Sequence, residues 1–144
     1  MIRLFPLAGL LRLRHLEQDE AAGHLAAANS RVQDNDSRRD RARALLHGTA
    51  DSPTTAAALQ AMAAARSSSR SMLADLDALG QGHRESLRSA QSAFDAARAE
   101  SKALEKLEAR HAQAVAAADL HAEQIVLDEI ASTRWHRNRT EDEQ

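Results

Sequence analysis

The side chains best suited to chemistry in this chain are seven histidines, a few clustered carboxylates and one run of arginines. These raise metal binding, acid–base catalysis and nucleic-acid contact in turn. No histidine pair follows the His-x3-His or His-Glu-x-x-His spacing that puts two ligands on one helical face. His15 and Asp19 stand one turn apart, but no third ligand converges on them, so solvated surface histidine is the plainer reading. Glu17, Asp19 and Glu20, or Asp128 and Glu129, are acid–base residue types. Separating two carboxyl pKa values takes a concave, partly dry pocket, which the elements below do not build. A Gly-rich phosphate loop and a nucleophile motif are both missing. The arginines Arg38, Arg39, Arg41 and Arg43 are interleaved with Asp34, Asp36 and Asp40 within helical reach, and there is no Tyr to stack on bases. That pattern describes a charge-laced helix surface. No catalytic residue, metal site or cofactor is therefore expected, and no enzyme.

The elements that must position these residues are helices. Of 144 residues, Gly supplies 5, Pro 2, Phe 2 and Trp 1, while roughly 32 are alanine, the strongest helix former and the smallest side chain to bury. An apolar fraction of 43% made largely of methyl groups cannot fill a compact globule at native density. Long helices meeting along a narrow seam need far less apolar volume. The net charge of −2 gives no pull toward nucleic acid or an anionic membrane. With no cysteine, disulfides and thiolate sites are excluded. No apolar run spans a bilayer, and Arg12 and Arg14 break the stretch Leu4 to Leu11 that would otherwise resemble a signal peptide.

Pro6 and Gly48 bracket a first helix over about 7–47, with Gly48 as a cap of positive φ. Steps of seven pick out Leu4, Leu11, Gln18, Leu25, Val32, Arg39 and Leu46, with the companions Leu7, Arg14, Ala21, Ala28, Asn35 and Ala42. GTADSP at 48–53 is the clearest break, with Ser52 and Pro53 as cap and first position of a restarted helix. Beyond it the series runs through Leu59, Arg66, Leu73, Gly80, Leu87, Phe94, Ser101, Glu108, Val115 and Ala122. Its companions are Met62, Ser69, Leu76, His83, Ala90, Ala97, Leu104, His111, Ala118 and Ile125. Because the phase holds across Gly80 and Gly82, these read as a weak spot inside one helix. The serines 67–69 mark another, so that 48–68 forms a connector with a short helix, 69–135 the long helix and 136–144 a frayed tail. The fold class expected is all-α: an elongated antiparallel two-helix coiled-coil hairpin forming a single domain. A turn directly at 48–53 would leave the C-terminal half with nothing to pair with; the layout that covers more of both seams has 54–68 as a broad connector and lays 7–47 along about 95–135, which brings both chain ends to one tip.

A two-helix seam leaves apolar side chains over: Leu10, Leu13 and Leu16, then Leu45, Met72 and Leu79, then Leu120, Val126, Leu127 and Ile130. They are either shoulders of a broad stripe or a docking surface for a partner.

The opening FPLAGLLRLRHLEQDEAAGHLAAA, the central LQAMAAARSSSRSMLADL and the closing AADLHAEQIVLDEIASTRW resemble the FliJ family of flagellar export proteins over nearly the whole chain. The resemblance implies a soluble, cytoplasmic component of the flagellar type III export apparatus, held at the membrane face only through partners. It implies a two-helix coiled coil similar to the central stalk of rotary ATPases. Such a protein docks in the ring of the export ATPase FliI, contacts the export gate protein FlhA, and so links ATP hydrolysis to export driven by the proton-motive force. Some members also handle export chaperones. Carried onto matching positions, Leu10, Leu11, Arg14, Asp128, Glu129 and Arg134 would face the ATPase ring, and Met72, Leu73 and Leu76 the gate. Two other readings stand beside it: a structural coiled coil whose main act is self-association, and a nucleic-acid-binding helix pair.

Overall fold

The computed structural model describes residues 4–48 and 52–141, the side chains of 138, 140 and 141 excepted. Two helices account for nearly all of them: α1, Ala8–His47, and α2, Ala56–Glu141. α1 starts where the sequence places it. Pro6 sits in the turn before it, and the Leu7 carbonyl accepts the first helical bond, from Leu11 N–H at 2.9 Å.

Three local expectations are corrected. Gly48 is not a left-handed cap: its N–H still bonds the Ala44 carbonyl at 2.9 Å, and no described glycine has positive φ. The N-cap of α2 is Thr55 rather than Ser52, its Oγ1 accepting from Ala58 N–H at 3.1 Å. α2 then runs unbroken through Ser67–Ser69, both glycines and Trp135, so there is no separate connecting helix, and helix replaces the expected fraying as far as Glu141. Helix propensity explains this, since the serines lie in an alanine-rich window and one weak residue costs only a few tenths of a kcal/mol to about 1 kcal/mol.

The chain divides into two compact units. One gathers the residues up to Arg14 with those from Glu100 onward, and the other is His15–Ala99. In the second, α1 and α2 run antiparallel: Ala42 lies near Met72, Asn35 bonds the Leu76 carbonyl, and Leu25 shares a hollow with Leu87. In the first, Arg14 meets Glu100 and Ser101, and the Phe5 ring packs on His111 with centroids 5.6 Å apart. The expected pairing of 7–47 with about 95–135 is therefore wrong. Residues 5–14 lie against 100–111, and 24–45 against 72–93, so the chain reverses directly after α1. The reversal falls between His47 and Ala56, a span in which residues 49–51 lie outside the described ones.

Heptad steps locate the seam well. Leu11, Ala28, Asn35 and Ala42 from α1 are buried, as are Gly80, Ser101 and Leu104 from α2, and all seven belong to the two series. From Met62 to Val115 every α2 series member except Glu108 is at least half-buried. The core is thin because alanine occupies so much of it.

Candidate functional site

After Val115, every α2 residue whose side chain is described is exposed. His111 is the furthest α2 residue shown in contact with the N-terminal stretch, through Phe5 just before α1, so about 45 Å of helix extends past it at 1.5 Å per residue. This segment is not polar. Leu120 and Leu127 are 66% and 65% exposed, and Ile125, Val126, Ile130 and Trp135 are also bare. Ala122, Val126 and Leu127 line a hollow edged by Glu123. A helix standing alone in water is only marginally stable, and helices in proteins draw most of their stability from packing of an apolar face, so bare leucine and isoleucine at this density form a surface suited to covering by a partner. Charge along the segment is divided. Asp119, Glu123, Asp128 and Glu129 come first; Arg134 and Arg139 follow, the latter stacked over the Trp135 ring at 5.1 Å.

The six residues matched to an ATPase-facing tip do not come together. Leu11 is 7% exposed, and Arg14 is bound to Glu100 at 2.7 Å, so both serve the helix pair. Leu10 is exposed beside them. Asp128, Glu129 and Arg134 lie on the bare segment, and Asp128 is 17 residues, about 25 Å of helix, past the Phe5–His111 contact. The expected shared tip therefore does not form among the described residues, because α1 pairs with an earlier stretch of α2. Of the three gate-matched residues, Leu73 and Leu76 are half-buried in the seam, while Met72 faces outward. Met72 and Leu76 line an open hollow with Ala42, Leu45, Arg38 and Arg41.

The chemistry-bearing side chains mostly hold the helices. Arg39 approaches Asp77 at 3.0 Å, and Arg84 donates to Asp36 at 3.1 Å, so members of the arginine-rich run and its aspartates are engaged across the seam. Among the described residues no three His, Cys, Asp or Glu side chains gather to hold an ion, and none of the helices is long and apolar enough to cross a membrane. Sequence reasoning undervalued Asn35, Gly80 and Ser101. Asn35 is a polar residue in an otherwise largely apolar companion series, and a lone asparagine at a seam position opposite a lone glycine is a signal for a specific polar contact.

Searches of curated proteins and of solved structures give no match. The family model described as Flagellar FliJ protein matches residues 3–140, nearly the whole chain, and the protein therefore belongs to the FliJ family of flagellar export components.

Proposed function

We propose that this protein is a non-catalytic stalk or adaptor of the flagellar export apparatus, binding the ring of the export ATPase FliI and the export gate protein FlhA from the cytoplasmic side. Family membership supports the setting. The observation that carries the reading is the bare apolar segment of α2 after Val115, a surface the chain itself leaves uncovered among the described residues. A helix presented this way can insert among the subunits of a ring and bias them unequally, which is how a protein without a catalytic site regulates an ATPase. In this reading Asp128, Glu129 and Arg134 belong to the ATPase contact with Leu120, Leu127 and Ile130. Leu10 is an accessory, and Leu11 and Arg14 act only through the helix pair. Met72 supplies the outward contact toward the gate, backed by Leu73 and Leu76. Export chaperones are further partners. Nucleic acid and membrane insertion have no part in it.

Co-sedimentation tests the reading. The purified chain should migrate with the cognate FliI and with the cytoplasmic part of FlhA, and Leu127→Asp should abolish the first while sparing the second. Absence of binding to both removes the proposal. The competing reading, that a second copy covers the same leucines, predicts a tight dimer at low micromolar concentration in sedimentation equilibrium.

A further inference from the structure

Within the His15–Ala99 unit the seam contains one polar layer, and its parts fit one another. Asn35 is 3% exposed, and its Nδ2 donates to the Leu76 carbonyl at 3.1 Å. That carbonyl stands one turn before Gly80 on α2, where it would normally serve only the helical bond. Asn35 reaches it because Gly80 has no side chain: a Cβ built there would lie 2.7 Å from Asn35 Nδ2. Such a distance is well inside van der Waals contact. One residue and one turn away, Asp36 accepts from Arg84 at 3.1 Å, and Arg39 faces Asp77 at 3.0 Å. The layer is not fully satisfied, since Asn35 Oδ1 is buried without a hydrogen-bond partner and Arg39 Nε, though within ion-pair distance of Asp77, makes no aligned hydrogen bond. A buried polar atom left unpaired costs stability, so the layer is a poor way to strengthen the seam and needs another explanation.

We propose that the Asn35–Gly80 notch, with its two flanking ion pairs, is a register pin that fixes α1 against α2 and excludes heptad slips. Elsewhere in this unit the seam repeats apolar side chains at heptad spacing, alanine at Ala21, Ala28, Ala42, Ala90 and Ala97 and leucine at Leu25, Leu73, Leu76 and Leu87, and such a repeating apolar pattern discriminates weakly between registers. Slipping α2 by one heptad in either direction keeps a hydrophobic seam but wrecks the polar layer. In one direction Asn35 meets Leu87 instead of Gly80, and Arg39 meets Arg84 instead of Asp77. In the other Asn35 meets Leu73, Arg39 meets Arg70, and Asp36 meets Asp77. Both slips bury the asparagine amide against leucine and set like charges together, which costs more than the native pin sacrifices.

Two measurements on the full-length chain test this. Gly→Ala in a helix interior ordinarily raises stability. Here Gly80→Ala lowers the melting temperature while Asn35 is present, and raises it by about 3 °C in the Asn35→Ala background, the gain expected for about 1 kcal/mol of helix propensity. The second measurement reads register itself. The chain has no cysteine, so spin labels attach cleanly at Arg31→Cys and Ser89→Cys, which flank one hollow. The parent gives one narrow distance. Removal of the layer by Asn35→Ala, Asp36→Ala and Arg39→Ala adds a population displaced by about 10 Å of helix, the length of one heptad. The same sign for Gly80→Ala in both backgrounds overturns the proposal, as does a single unshifted distance in the folded triple variant.

Discussion

Leu104 and Leu127 lie on the same helix and differ only in what faces them: Leu104 is 8% exposed in the seam and Leu127 is 65% exposed on the bare segment. Truncating each to alanine removes the same atoms with little change in helix propensity. At Leu104 three buried carbons are lost at about 0.8 kcal/mol each, or about 2.4 kcal/mol. A cavity contribution adds to this, but a two-helix seam can collapse around the gap, so the total stays near the low end of leucine truncations, about 2–3 kcal/mol. For a chain of this length that lowers Tm by about 10 °C. At Leu127 the change stays within about 0.5 kcal/mol. Urea unfolding followed by far-UV circular dichroism measures both, and the denaturant slope verifies that the same surface is exposed in each variant. Equal losses at the two sites would refute the seam assignment, because equal losses require Leu127 to be packed within the chain.

Ending the chain at Ala118 should leave Tm unchanged to within about 2 °C while helical ellipticity falls with the residues removed, since the deleted segment packs on nothing described; calorimetry reads the result. Ser101 is wholly buried and donates to the Arg14 carbonyl at 3.1 Å, so Ser101→Ala costs about 1 kcal/mol for the lost bond and Ser101→Leu about 1–3 kcal/mol for overpacking, a ranking that denaturant midpoints verify. Arg14→Ala costs no more than about 0.5 kcal/mol despite the 2.7 Å approach to Glu100, because both side chains are a third to a half exposed; a double-mutant cycle at low and high salt should show that coupling shrinking.

Much of the fold can be read from the chain. Heptad steps alone find every buried residue of the seam, because alanine and leucine recur at the period that two packed helices require. The pairing cannot be read this way. A seam of repeated apolar residues fits several registers, and choosing the layout that covered the most apolar surface set α1 too far along α2 by about 27 residues, roughly four heptads: it puts Arg14 opposite residue 128, whereas Arg14 meets Glu100 and Ser101. What decides the layout is the short turn after His47 together with the polar fit of Asn35 to Gly80. Each is a matter of single residues and geometry rather than periodicity. The cap at Thr55 was missed for a similar reason: Ser52-Pro53 and Thr55 are both good starts, and hydrogen-bond geometry separates them. Leu120, Leu127 and Ile130 were legible as surplus apolar residues. Their exposure follows only once the segment that leads into α1 is known to meet α2 at His111, through Phe5.

The most direct test of the functional account is steady-state ATP hydrolysis by the cognate export ATPase, titrated with the full-length chain and with the chain ending at Ala118. The full-length protein should bind and raise the rate in a saturable way, while the shortened one, still folded by circular dichroism, should not. Equal stimulation by both would contradict the assignment of the bare α2 segment as the regulatory contact, and neither binding nor stimulation by the full-length chain would contradict the adaptor role itself.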